Sequence, residues 1–322
     1  MKKIIALLLA LVMVFALCAC GSQPANNTPA EESKAPAEET PAASSAEGSV
    51  YYLNFKPEAD EAWQKVAAAY TEQTGVPVKV VTAASGTYQE TLTAEMDKSE
   101  APTMFQVGNQ GAVDTWGEYC YDLTNTDVWN EMTTHAFDLT NEDGFTYSIG
   151  YCYECFGIIV NKALLEKAGH SIDEINNFDS LKAVADDIHA RAAELGFDAF
   201  SSAGLDGSSS WRFSGHLANM PLFYEFRDDD VHSQPATITG AYLDNFKAIW
   251  DLYITDSATT GADLLAATGD ASEAEFGNGE AVFYQNGSWE YSALTEKYGM
   301  KIGRASCRER VGNCGGHWVP AN

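Results

Sequence analysis

Between residues 50 and 119, short β-rich runs alternate with segments of helical periodicity, and no other feature of the chain restricts its fold as much. Residues 50–55 (Val-Tyr-Tyr-Leu-Asn-Phe) read as a strand, and 57–74 read as a helix with Ala62, Val66, Ala69 and Tyr70 at helical spacing before a stop at Gly75. A strand over 76–81, a helix from Gly86 to about Lys98, a strand over 103–107 opened by Pro102, and a helix over 110–119 follow. A β-α-β-α-β order calls for a parallel sheet covered by helices, and ligands of such sheets bind beyond the carboxyl ends of the strands. The loops there are Asn54-Phe55-Lys56, Ala84-Ser85-Gly86-Thr87-Tyr88 and Gly108-Asn109-Gln110. Lys56, Ser85, Asn109 and Gln110 are therefore candidate hydrogen-bonding residues, although strand-to-helix turns are polar in any case.

Further along, residues 147–151 and 156–160 read as extended, 161–169 as a helix ending at Gly169, 181–195 as an amphipathic helix and 197–201 as a short strand. A Gly/Ser loop over 204–210 leads into a helix over 211–220 that begins Trp211-Arg212, and an apolar stripe of Phe246, Ile249, Trp250 and Tyr253 marks a helix over 242–254. A helix around 272–276, a strand over 281–284, a turn Asn286-Gly287-Ser288-Trp289 and a helix over 290–298 complete the pattern.

The ends have a different character. Met1-Lys2-Lys3 and the apolar run 4–17 form an export signal, too short to cross a bilayer comfortably. The run closes on Leu17-Cys18-Ala19-Cys20-Gly21, which resembles the bacterial lipobox. That resemblance implies cleavage after residue 19 and lipidation of Cys20, whose acyl chains, at roughly 0.8 kcal/mol per buried CH₂, would anchor the chain. Residues 20–48 are Pro, Ala, Ser, Glu, Thr and Asn with almost nothing apolar beyond alanine, the composition of a disordered tether. At the other end the basic, unpatterned run from Lys301 to Asn322 resembles the translated frame of a sequencing adapter. The expectation is that 301–322 is a non-native tail on a chain incomplete at its C-terminus.

The charges of these flanking segments nearly cancel, so the net charge of −27 belongs to the central body. Such acidity argues against a nucleic-acid partner and leaves a cationic ligand open. Cys120, Cys152 and Cys155 are the cysteines of the body, an odd number that argues against a disulfide framework. The two-residue spacing of Cys152 and Cys155 invites a redox or zinc reading, but no second ligand pair accompanies them, and buried free thiols are the simpler expectation. No nucleophile elbow, phosphate-binding glycine loop or zinc helix is present, and no metal or cofactor is called for.

Two blocks carry a wider resemblance. They are Ser-Ile-Gly-Tyr-Cys-Tyr-Glu-Cys-Phe-Gly-Ile-Ile-Val-Asn-Lys at 148–162 and Phe-Gly-Asn-Gly-Glu-Ala-Val-Phe-Tyr-Gln-Asn-Gly-Ser-Trp at 276–289. With the lipobox, the tether and the opening strand and helix, they make residues 49–300 similar to carbohydrate-type extracellular solute-binding proteins of ABC importers, relatives of maltose-binding protein. The resemblance implies a two-lobed α/β, type II periplasmic-binding-protein-like fold, with a first lobe over 49–150 and a second over 151–300. By position, Glu154 matches an acidic cleft residue that accepts sugar hydroxyls, and Trp289 matches the aromatic that stacks on a pyranose. Trp211 and Arg212 fall at a further contact, and Lys56, Asn109 and Gln110 at polar loops of the first lobe. The sequence departs from the family pattern at Gly150, where proline is common, and at Cys152 and Cys155 beside the acidic position.

A pyranose offers an apolar face for Trp and a rim of hydroxyls for planar polar side chains, so the chemistry of these residues agrees with a sugar cleft. The expected role is capture of a mono- or oligosaccharide, without catalysis, by a monomer anchored at the outer face of the cytoplasmic membrane that serves an ABC permease. One rival is a polyamine or other cationic solute, whose site would show several carboxylates and an aromatic box converging on one cleft. Another is a glycoside hydrolase, which would need two carboxylates about 5–9.5 Å apart across a sugar. Replacing Cys20 with Ser is expected to release the protein from membranes, because acylation and processing both depend on that thiol. Fractionation of cells carrying the variant checks this, and retention in the membrane fraction would refute it.

Overall fold

The computed structural model describes residues 48–152, 154–233 and 235–301. The export signal, Cys20, most of the tether and residues 302–322 of the tail lie outside the described residues. Strand β1 (Val50–Asn54) pairs in parallel with β2 (Val78–Thr82), Tyr52 facing Val80, and helix α1 (Asp60–Thr74) makes the crossover between them. Gly75 stops α1 in the left-handed region at φ 77°, its N–H bonded to Thr71 O at 2.9 Å.

The face that α1 turns to the sheet is not the expected stripe. Val66 is 56% and Tyr70 47% exposed, whereas Ala67 is buried and the Trp63 ring meets that of Tyr52 edge-on at 4.8 Å. Trp63, Ala67 and Thr71 lie at i, i+4 and i+8, and Thr71 Oγ1 accepts the N–H of Val78 at 3.2 Å, so this line faces β2. The expected strand over 103–107 reduces to a parallel bridge at Met104 beside Tyr52. Tyr51 N turns to Thr103 Oγ1 at 2.9 Å, and Gln106 N to the Tyr88 hydroxyl at 2.6 Å. Side chains thus take up the groups that a longer ladder would need.

Helices α2 (Tyr88–Met96) and α3 (Gln110–Trp116) close the first core, where Leu53, Tyr88, Leu92, Val107, Val113 and Trp116 meet. The stretch after α3 holds a small antiparallel pair, β3 (Leu139–Thr140) with β4 (Thr146–Ser148).

The second sheet has the order β5 (Phe156–Val160), β7 (Ala281–Gly287), β6 (Asp198–Phe200), with β5 antiparallel and β6 parallel to β7. Phe200 also bridges Ser257 on the far side of β6. Strand β7 is buried throughout and runs three residues beyond the expected 281–284. Pairing with β5 carries it on, because Ile158, Gly157 and Phe156 face Gln285, Asn286 and Gly287.

Helix α4 (Lys162–Lys167) is capped by Asn161, whose side chain accepts from Leu164 N, and α5 (Phe178–Ala190) by a reciprocal Asn177–Ser180 box. That box explains why α5 begins before residue 181; the helix ends at Ala190, and a short helix, Ala192–Leu195, follows. The helix entered at Trp211 opens with wide turns over Arg212–Ala218 and continues as α6 (Asn219–Asp228), well past residue 220. Those turns fall just before Pro221, which lacks an N–H for the regular ladder. Helix α7 (Leu243–Trp250) likewise passes into wide turns over Asp251–Thr255, and α8 (Gly269–Gly277) precedes β7. After β7 the chain makes a 3₁₀ turn at Ser288–Glu290 and wide turns at Ala293–Lys297 rather than one continuous helix over 290–298.

A large core joins α4, α5 and the segments after Trp211 to the second sheet through Leu165, Leu181, Ile188, Phe200, Phe213 and Phe283. A smaller cluster of Phe276, Tyr284 and Leu294 packs separately. Phe200 is fully buried, 4.7 Å from the Tyr253 ring and 5.1 Å from that of Phe283. Phe200→Ala is expected to lower stability by about 3–5 kcal/mol. Urea unfolding followed by circular dichroism measures it, and a loss under ~1 kcal/mol would contradict this packing.

Candidate functional site

The β5–β7 ladder continues one step beyond both strands. Ser288 N donates to Cys155 O at 2.8 Å, and Cys155 N to Ser288 Oγ at 3.3 Å. Glu154 and Trp289, the next residue on each side, are thereby brought to the same end of the second sheet. Gly287 serves this turn through close approach rather than through φ, which is −123°. A Cβ there would lie 2.2 Å from atoms of the Trp289 ring, so the indole folds back over bare backbone.

Around Trp289 the aromatic rings form a continuous group. Trp211 lies 6.0 Å away at 48°, and its ring meets that of His216 edge-on at 5.1 Å. His216 stacks on Phe156 at 4.0 Å and 5°, and its centroid is 5.7 Å from that of Trp289. Gln285 Nε2 is 3.0 Å from His216 Nδ1, and burial pushes the imidazole pKa down, so a neutral ring accepts the amide hydrogen.

The polar members come from separate segments. Arg212 places its guanidinium carbon 4.5 Å from the Trp211 centroid. Lys56, after β1, forms an ion pair with Glu154 and lies 3.7 Å from Glu58 Oε1. Its Nζ is also 5.3 Å from the Trp289 centroid and 5.2 Å from that of Phe55. Fully buried Asn54 fixes the Lys56 backbone on both sides, donating to Lys56 O at 2.7 Å and accepting from Lys56 N at 3.0 Å. Thr82 accepts from the same amide at 3.0 Å.

Lys56, Glu154, Trp211, Arg212 and Trp289 therefore converge, drawn from both sheet systems. Ser85 is exposed, but a Cβ on neighbouring Gly86 would lie 3.1 Å from Ser208 O, so its loop faces the one that leads into Trp211. Asn109 and Gln110 have other partners. Asn109 Oδ1 caps α3 by accepting from Ala112 N at 2.9 Å, and Gln110 Nε2 donates to Asp114 Oδ1 at 3.0 Å. Gln110 also lines a hollow of about 520 Å³ with Asp114, Gly117, Asn141 and Tyr147. The three body cysteines are free, but Cys152 and Cys155 are exposed rather than buried, because they flank the open end of edge strand β5. Among the described residues no group of three or more His, Cys, Asp or Glu could hold a metal ion.

Sequence reasoning did not find Glu290, which sits directly behind Trp289 and is 6% exposed. Its Oε1 accepts from Asn286 Nδ2 at 2.7 Å and is 4.0 Å from an Arg212 nitrogen. Its Oε2 and Arg212 Nε are buried without a hydrogen-bond partner among the described residues. Burial pushes its pKa up to about 7; the Glu273 carboxylate adds to the shift, and Arg212 and Asn286 oppose it. The only sequence signal was an acidic residue next to the key tryptophan and four after Asn286. His216 and Gln285 were also missed.

Two sheets with separate cores match the two-lobed α/β fold of solute-binding proteins. The fold is shared with RafE in complex with raffinose, at 20% identity and TM-score 0.61 over 77% of this chain and 65% of that one. A chitin oligosaccharide binding protein matches at 18% identity and TM-score 0.60 over 77% and 63%. An ABC transporter solute-binding protein of Thermotoga lettingae bound to α-D-tagatose matches at 16% identity and TM-score 0.58 over 78% and 64%. This chain thus spans just under two thirds of the length of each. No curated protein matches it by sequence. The profile of the family described as bacterial extracellular solute-binding protein matches residues 65–313, and the chain belongs to that family. Its folded part accordingly works outside the cytoplasm.

The raised pKa of Glu290 makes a pH prediction. Below the ordinary value of 4.5 the carboxyl is protonated in folded and unfolded chains alike; between 4.5 and about 7 the unfolded chain loses the proton while the folded chain keeps it. The contribution of this group to stability is therefore complete below pH 4.5 and is lost as pH rises through about 7. Glu290→Gln, which cannot ionise, is expected to gain in melting temperature relative to the parent as pH goes from 5 to 8. A difference that stays constant or narrows over this range would show that Glu290 titrates normally.

Proposed function

We propose that this protein captures a saccharide outside the cytoplasmic membrane and delivers it to the permease of an ABC importer. The observation that carries this reading is the Trp289–Trp211 pair, half-open to solvent and rimmed by Lys56, Glu154 and Arg212. Tryptophan faces suit the CH surface of a pyranose, while an ammonium, a carboxylate and a guanidinium supply donors and acceptors for its hydroxyls. Raffinose, a chitin oligosaccharide and tagatose are bound or named for the structural neighbours, which supports the sugar class without choosing among sugars. Residues 49–150 and 151–300 form the two lobes in this reading, and Lys56–Glu154 joins them across the cleft. Cys20 carries the lipid anchor, and the protein acts as a monomer without chemistry of its own.

Glu154 and Glu58 are both engaged by Lys56, an arrangement suited to holding charge rather than to flanking a glycosidic bond. The test is calorimetry of the protein restored to full length against raffinose, tagatose and chitin oligosaccharides. Trp289→Ala is expected to weaken binding of the cognate sugar by about 1–3 kcal/mol, roughly tenfold to a hundredfold, and Trp289→Phe to recover part of it. Unchanged affinity in Trp289→Ala would remove Trp289 from the site, and failure of every saccharide to bind the parent would remove the sugar reading.

A further inference from the structure

A site for a cationic solute should bring carboxylates and aromatic rings to one point, and the structure contains such a point with its own occupant. The Lys56 ammonium is paired with Glu154, lies 3.7 Å from Glu58 Oε1, and is 5.2 and 5.3 Å from the ring centroids of Phe55 and Trp289. Both ring distances are within the reach of a cation–π contact. Its side chain is 16% exposed, less than those of Glu58 at 32% and Glu154 at 29%, so the charged end sits inside the group.

Seating is not left to a free side chain, because buried Asn54 clamps the Lys56 backbone at its N–H and its carbonyl. The four surrounding side chains come from three places: the loop after β1 gives Phe55 and Glu58, the segment before β5 gives Glu154, and the turn after β7 gives Trp289. Two aromatic faces and two carboxylates make a receptor for an alkylammonium ion.

We propose that Lys56 is a built-in plug that sets the specificity of the cleft. By filling an ammonium cage with its own charge, it rejects cationic solutes and leaves the site to neutral ones. A second ammonium would have to approach the first at short range with both carboxylates already engaged, so repulsion opposes its entry. A neutral hydroxylated ligand meets no such repulsion, and an N–H of Lys56 not committed to Glu154 is a donor for its hydroxyls. The proposal rests on the saccharide reading for the ligand admitted, but the cage and its occupant stand apart from that reading.

The experiment removes the plug and keeps the cage. Lys56→Met retains the stem volume without the charge. It is titrated with putrescine and with n-butylammonium in a calorimeter beside the parent, and circular dichroism verifies that it is folded. The parent is expected to bind neither amine, Lys56→Met to bind at least one at least tenfold more tightly than the parent, and Lys56→Met/Glu154→Gln to lose most of that gain. A folded Lys56→Met that binds amines no better than the parent overturns the proposal, as does a gain that survives loss of the Glu154 charge.

Should Lys56→Met fail to fold, reductive ¹³C-methylation of the parent decides. A caged Lys56 gives methyl resonances displaced upfield by the Phe55 and Trp289 rings, and Trp289→Phe moves them, whereas resonances at the position of exposed lysines overturn the proposal. Failure of all saccharides to bind the parent would sink the sugar reading while leaving both readouts of the plug interpretable.

Discussion

Antiparallel pairing of β5 with β7 runs from Val160 opposite Phe283 to Phe156 opposite Gly287, and two further hydrogen bonds carry it to Cys155 and Ser288. Because register fixes which residues emerge together at a strand end, this ladder determines that Glu154 appears beside Trp289. The same ladder buries Gln285 and Asn286 at the end of an otherwise apolar strand, and each then orients a neighbour: Gln285 the ring of His216, Asn286 the carboxyl of Glu290. A one-residue slip would exchange the faces on which the two amides stand and disperse the group.

Charge within the group is arranged against the trend of the molecule. The chain carries −27 overall, yet both fixed cations at the site, Lys56 and Arg212, stand beside aromatic faces and carboxylates. Arg212 also packs against the N-terminal end of α8, where a Cβ on Gly269 would lie 2.8 Å from its guanidinium. The positive end of a helix is an unfavourable neighbour for a cation, and Glu290 at 4.0 Å offsets it only once its carboxyl ionises above about pH 7. Burial in turn holds the Glu290 proton to about neutral pH, so the balance behind Trp289 is set by desolvation more than by pairing.

The alternation of strand and helix through residue 100 and the pattern around 156–200 were legible because period and caps agree there: Gly75, Asn161 and Gly169 punctuate the sequence where the structure does. Less legible were features decided by tertiary partners. Which face of α1 meets the sheet depends on Trp63 finding Tyr52, and the loss of the 103–107 strand depends on a Tyr88 hydroxyl eighteen residues away. Of the candidate site, the tryptophans, Arg212, Glu154 and Lys56, which the structure brings together, could be named from the polar loops and the family blocks. His216, Gln285 and Glu290 could not, since an imidazole on a helix and an amide in a strand carry no periodic mark of function. Asn109 shows the converse. Its position before a helix is explained by the cap it provides, so a polar loop residue at the correct end of a strand is weak information about ligands.

Acidity offers a last contrast. A net charge of −27 invites a cationic ligand, but surface charge mostly governs solubility and long-range encounter, and recognition is settled by what faces the cleft. Among the described residues Glu58 and Glu154 stand at the candidate site, and both are turned toward a lysine supplied by the protein itself. Asn54, buried and bonded to Lys56 and Thr82, holds that lysine from beneath at the end of β1. A strand end in the first sheet thus governs the electrostatics of an aromatic surface built by the second, and under the proposal of a lysine plug the preference of the candidate site follows from a backbone clamp rather than from the overall charge.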